Sequence, residues 1–144
     1  MKNETKVILK NKEFTINKML SSDGWPISVK LGKYISKPLS DAMEGLDIKD
    51  AESMATVLVK YLSNLSVENI MELTKDLFDS KYIKYKNESG NEEAFNINVF
   101  DGEYGSILRL LIEIIKFNFS SFFFELLEIL SEATGMKFNA KKLA

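Results

Sequence analysis

Residues 104–130 read YGSILRLLIEIIKFNFSSFFFELLEIL, and they restrict the folds open to this chain more than any other stretch. Of these 27 residues 17 are apolar, and five of those are Phe. The length suits a membrane span, but Arg109, Glu113, Lys116, Glu125 and Glu128 interrupt it. Burying such charges near a bilayer centre costs about 2.5–3.5 kcal/mol each, so the segment is not read as a span. The polar residues are also ordered. Ser106, Arg109, Glu113, Lys116 and Ser120 recur at helical spacing and form one narrow stripe. Ser121, Glu125, Glu128 and Glu132 form a second, offset by one residue, or about 100° of helix rotation. The offset predicts a kink or break between Phe117 and Phe122.

Outside the stripes nearly every residue is apolar. A surface helix needs an apolar arc of only about 100° or somewhat more. This segment has far more, so it must be covered on several sides, by its own domain or by another chain. Core packing accounts for part of the excess. Consecutive Phe122, Phe123 and Phe124 point in three directions about 100° apart, which a small domain does not easily bury together. Phe117, Phe119, Phe122, Phe123, Phe124 and Leu127 are therefore the candidate partner-binding residues, and self-association is expected.

With 144 residues the chain is read as one domain, 1–144, able to bury about two-thirds of its unfolded surface. Its net charge of −2 creates no global field for nucleic acid. There is no Cys and no His. Thiolate chemistry, His-based general-base catalysis and the commonest transition-metal ligands are thus missing from this chain. No cofactor or metal is expected, and no enzymatic activity. The start, MKNETKVILK, lacks the apolar core of a signal peptide, so a cytoplasmic location is expected.

Lys6–Lys10 and Glu13–Asn17 are two short β-type runs, and Asn11-Lys12 between them predicts a tight turn. Ser21–Gly24 reads as a loop offering helix caps, with Pro26 at a first helical position. Ile27, Leu31, Tyr34, Ile35, Leu39, Ala42 and Met43 follow at helical spacing. Pro38 should kink or split that helix, and Gly45 should stop it. Asp47 or Asp50 caps a second helix to about Leu62, with Ala51, Met54, Ala55, Leu58 and Leu62 inward. Ser66 has the marks of a third N-cap, and Leu65 and Ile70 sit at the two positions of a hydrophobic staple. Tyr82–Lys86 and Ala94–Phe100 both alternate, with a loop over Asn87–Glu92, which predicts a second hairpin. Asp101 is the expected cap of the long apolar helix, Thr134-Gly135 its end, and Lys137–Ala144 a frayed tail.

Few constellations carry chemistry. Asp101, Glu103, Glu44, Asp47, Asp50 and Glu52 lack the ligand spacing of a Ca²⁺ loop and read as caps and solvated turns. Lys30, Lys33 and Lys37 form a stripe without Arg or interleaved aromatics, which reads as a solvated face rather than a phosphate-binding one. Gly102 and Gly105 fit neither dinucleotide nor P-loop spacing. Trp25, between Gly24 and Pro26, reads first as a lid over the core and second as an anchor for a partner pocket.

The order of these pieces resembles a known family. VILKNKEFTIN leads into LGKYISKPLSDAM, mid-length helices and a short β segment follow, and the chain closes on FDGEYGSILRLLIEIIKFNFSSFF. This is similar to the tail assembly chaperones of long-tailed bacteriophages, over most of the chain. The matching positions of the closing segment are Phe100, Asp101, Tyr104, Gly105, Asn118, Phe119, Ser120 and Phe122. The triple Phe122-Phe123-Phe124 is heavier than that pattern. The resemblance implies a non-catalytic protein that binds the helical, aggregation-prone tape-measure protein, helps recruit tail-tube subunits, and leaves before the virion is complete. It also implies two lengths made by translational frameshift, this chain being the short form. It supplies no residue-level binding motif.

The expectation is an α+β fold, mostly helical, with a short N-terminal β-hairpin and a second hairpin. The function expected is a phage tail assembly chaperone, homo-oligomeric, with tape-measure and tail-tube proteins as partners and neither nucleic acid nor membrane. A small interaction module that inhibits a host factor is the alternative; capture of tape-measure protein separates the two. An enzyme built only on carboxylates and lysines ranks last, and would need a deep polar pocket.

Overall fold

The computed structural model describes residues 3–45 and 51–134, with side chains for 3–34, 54, 56–129 and 132. In chain order these form β1 (Glu4–Leu9), β2 (Lys12–Asn17), α1 (Ser21–Gly45), α2 (Ala51–Ser63), α3 (Val67–Leu77), β3 (Ile83–Lys86), β4 (Glu92–Glu93), a 3-10 turn (Ile97–Phe100) and α4 (Tyr104–Thr134). The fold is α+β and mostly helical. Its strands lie in the order β1-β2-β3-β4, every neighbouring pair antiparallel.

The N-terminal hairpin forms as its alternating runs require, but its turn is Lys10-Asn11, one residue earlier than expected. Both residues have left-handed φ, 52° and 65°. Two such residues make the turn whose twist matches that of paired strands. The shift places Lys12 in β2, where it is only 5% exposed. Its ammonium donates to the Val99 carbonyl at 2.9 Å and to Glu103 Oε1 at 2.8 Å. The Glu103 contact holds the Lys12 pKa above its ordinary value, against the opposing pull of burial. A buried ammonium is tolerable only with such partners, so Lys12 pins the sheet to the chain entering α4.

A second hairpin exists, but its returning strand is only Glu92–Glu93. Ala94–Phe100 is not a strand, although it alternates. Phe95 and Phe100 are both buried, and a strand would send positions of opposite parity to opposite faces. Asn96 Oδ1 instead accepts the Asn98 N–H at 2.8 Å and opens the 3-10 turn. That turn folds Phe100 onto Phe14, the rings stacked with centroids 5.3 Å apart. Tyr85, Phe95 and Phe78 complete the aromatic cluster.

Helix α1 begins at Ser21, five residues before the expected Pro26. Tertiary bonds fix that entry. The Met19 N–H donates to Asn118 Oδ1 at 3.0 Å, and the Leu20 N–H to the Tyr82 hydroxyl at 3.1 Å. The Leu20 carbonyl then accepts from Asp23 and Gly24. Pro38 does not split α1, which is helical through Gly45. The cap expected at Asp47 or Asp50 and the tail at Lys137–Ala144 lie outside the described residues, as do the side chains of Ile35, Leu39, Ala42, Met43, Ala51 and Ala55. The cap of α3 is as expected: Ser66 Oγ accepts the Asn69 N–H at 3.2 Å, and Leu65 and Ile70 both pack against the core. Lys30 is a partly exposed charge, but it has partners. Its ammonium reaches Glu72 at 2.6 Å and Asp76 at 2.9 Å, tying α1 to α3.

Asp101 does not cap α4. It takes a left-handed conformation closing the 3-10 turn, and the first helical bonds run to the Glu103 carbonyl. Helix α4 is unbroken from Tyr104 to Thr134, so the break expected at 118–121 does not occur. The offset between the stripes requires a break only where one side of the helix is covered along its whole length. Instead the cover changes side. Leu110, Leu111, Ile114 and Ile115 are buried in the first half, and Phe119, Phe123, Phe124 and Leu127 in the second. Ile114 and Leu127 stand about 140° apart around the helix. Arg109 and Glu125 are accordingly both exposed. The helix packs against β1, the 3-10 turn, α1, α2 and α3.

Candidate functional site

The six residues singled out on α4 separate into three groups. Phe123, Phe124 and Leu127 are buried in the core, at 0%, 5% and 0% exposure. Phe117 is half-buried, with the Lys18 ammonium 4.7 Å above its ring. Phe119, also a core residue at 4% exposure, and the half-buried Phe122 line a surface groove of about 380 Å³ between the start of α1 and the middle of α4. A partner can reach Phe123, Phe124 or Leu127 only by displacing the packing over them.

Two glycines of α1 face these rings, and Gly24 lines the groove itself. A Cβ on Gly32 would stand 3.4 Å from the Phe122 ring, so the bare backbone of α1 is what the ring lies against. A Cβ on Gly24 would stand 3.5 Å from Met19 Cβ and 3.9 Å from the Phe119 ring, which is ordinary contact. Phe122 is also backed by the Phe123 ring, with centroids 5.8 Å apart. The wall on the α1 side is Trp25, with Met19 beside it.

Trp25 is 64% exposed. It is not a lid over the core; the geometry favours the anchor reading. Leu20 and Val29 are exposed on the same stretch, Val29 one helical turn beyond Trp25. An exposed indole among apolar neighbours has the make-up of an interface hot spot. The rim is polar and held in place. Lys18 donates to the Phe117 carbonyl at 2.8 Å, and Ser120 Oγ to the Lys116 carbonyl at 2.6 Å. At the back of the α1 entry, Asp23 accepts from Tyr82 and Lys81. Those two bonds, the Tyr82 bond first, hold its carboxyl below the ordinary aspartate range.

Such a groove suits an apolar side chain carried by another chain. Its polar lining is Lys18, Ser21, Ser28 and Asn118. Among the described residues no group of His, Cys, Asp or Glu could hold a metal ion. No described helix is long and apolar enough to cross a membrane. Sequence reasoning found Phe119 and Phe122 but missed Met19, Leu20, Val29 and the glycines. Trp25 and Val29 at i, i+4 were the available signal, hidden because the same spacing also marks a core face.

A family model described as "Phage tail assembly chaperone protein, TAC" matches residues 10–133. No curated protein and no solved structure matches the chain.

Proposed function

The chain belongs to the phage tail assembly chaperones, and we propose that it binds tape-measure protein in the host cytoplasm and keeps it soluble, without catalysis and without entering the virion. The observation that carries the reading is the Trp25–Phe122 groove: apolar side chains left in water beside a pocket of about 380 Å³. An amphipathic client helix would set one large apolar residue into the groove and lay its apolar face along Leu20, Trp25 and Val29. Phe122 and Phe119 are the floor in this reading. Phe117 borders it, while Phe123, Phe124 and Leu127 act indirectly by fixing α4. Binding needs no nucleic acid and no membrane, and tail-tube protein is a second partner.

Trp25 is the only tryptophan in the chain, so it reports on its own environment. Titration with soluble amphipathic segments of the tape-measure protein should shift its emission to shorter wavelength. Co-expression should retain tape-measure protein in the soluble fraction, and Trp25→Ala with Phe122→Ser should abolish that retention. Retention undiminished by the double substitution would place the client elsewhere.

A further inference from the structure

A second cavity, of about 760 Å³, lies between the first hairpin's turn and the start of α4. Ser106 stands about 20 Å along α4 from Phe119, so this is not the Trp25 groove. The first amides of a helix have no partner inside it, and they favour negative charge. Here the Tyr104 N–H is taken by the Gly102 carbonyl, and those of Ser106 and Ile107 by the Glu103 carbonyl. The Gly105 N–H between them has no acceptor among the described residues. The Ser106 side chain points the same way. The residue is only 6% exposed, yet its hydroxyl has no hydrogen bond among the described residues. Buried polar groups are ordinarily paired. Among the described residues, the unpartnered oxygen sealed from solvent is that of Tyr61, so Ser106 Oγ stays open, toward the cavity it lines.

We propose that this cavity binds a carboxylate on an acidic, apolar-flanked segment of a partner protein. Its charges select an anion. Lys10 and Arg109 line it, both exposed, and neither side chain has an ion pair among the described residues. The carboxylate in the lining, Glu103, is answered by Lys12 at 2.8 Å. One turn beyond Arg109, Glu113 lies 3.6 Å from the Lys116 ammonium. The free charge left at the cavity is therefore positive, and it adds to that of the helix start. An incoming carboxylate accepts from the Gly105 N–H and the Ser106 hydroxyl, with Arg109 and Lys10 closing on it as charge-assisted donors. The apolar surface selects a protein rather than a free phosphate. Ile8 and Leu9 form one wall, Ile8 at 69% exposure, and Tyr104 and Leu108 are exposed on the first turns of α4. A phosphate would leave those side chains in water, whereas a carboxylate carried between two apolar residues covers them.

Nuclear magnetic resonance titration of the full chain tests this without tape-measure protein, so its failure leaves the chaperone reading untouched. The probe is acetyl-Leu-Glu-Leu-amide, with its Gln counterpart as control. The Glu peptide should move the Gly105 and Ser106 amide signals to saturation, and the Gln peptide should bind at least about tenfold more weakly. Arg109→Gln should raise the dissociation constant about tenfold, and Lys10→Gln about threefold. Ser106→Ala should weaken binding about threefold without lowering the melting temperature, because the hydroxyl makes no bond within the fold. The Lys10 and Arg109 side chains are unpaired among the described residues, so circular dichroism of their variants should be unchanged. Gly105 and Ser106 signals unmoved at millimolar peptide would overturn the proposal. Equal binding of the Glu and Gln peptides would do so too, by reducing the cavity to an apolar contact. Inorganic phosphate binding as tightly as the Glu peptide would overturn it in favour of a phosphate site.

Discussion

Two aromatic neighbourhoods in this molecule use the same chemistry to opposite ends. Beneath the sheet, Phe14, Phe78, Tyr85, Phe95 and Phe100 surround one another, with centroids between 5.3 and 6.3 Å. Phe14 and Phe100 are 0% and 1% exposed. At the α1–α4 groove, Phe122 is only half-buried, against Gly32 and the Phe123 ring, and no ring stacks on Trp25 among the described residues. The first cluster is built from segments far apart in the chain, locked by Lys12. The second joins two helices across bare glycine backbone. Aromatic content therefore says little about purpose; what matters is whether a second and third element close over the rings.

The contrast can be broken most severely from the closed side. Phe123→Ala removes a fully buried ring from the second half of α4 and should cost about 3–5 kcal/mol, read by urea denaturation. Next comes the lock. Lys12→Met keeps the apolar stem but deserts Glu103 and the Val99 carbonyl, and should cost about 2 kcal/mol. A smaller effect of opposite sign sharpens the picture of the core. The Tyr61 hydroxyl is buried without a hydrogen-bond partner among the described residues, and burial pushes its pKa upward. Tyr61→Phe should stabilise the protein by about 1 kcal/mol, seen as a raised melting temperature. The smallest change belongs to the open side. Trp25→Ala should alter stability by no more than about 0.5 kcal/mol, even though it abolishes one wall of the groove. A loss as large as that of Phe123→Ala would erase the distinction between the two regions.

How much of this was legible in the sequence depended on how local the cause was. Ser66 and its staple partners Leu65 and Ile70 act within one turn, and the cap of α3 was readable from them. The first hairpin was readable too, but its turn slipped by one residue. Asn11-Lys12 looked like the turn, and only the tertiary demand for a buried Lys12 decides for Lys10-Asn11. Ala94–Phe100 shows the reverse problem: an alternating pattern with a strand's appearance, overruled by two Phe residues of opposite parity that share one core. In α4 the apolar excess was a correct sign of cover on several sides. The phase change between its stripes marks where the covering elements switch, and a single helix accommodates it. Trp25 carried no local sign of exposure, because burial of a residue near a helix start depends on what packs over it. The six residues chosen on α4 mixed floor and core for the same reason.

The bond between Lys12 and Glu103 spans 91 positions, and that separation has a consequence for the order of events during synthesis. At roughly 5–20 residues per second, Glu103 follows Lys12 out of the translating ribosome by about 5–18 s. Phe14 waits about as long for Phe100, and β2 only a little less for β3. For those seconds the first hairpin is a two-stranded ribbon with a bare ammonium and no sheet, which is marginal on its own in water. Nascent chains on one polysome thus expose like ribbons to one another before any has a core, and the last helix to emerge is the one that closes them.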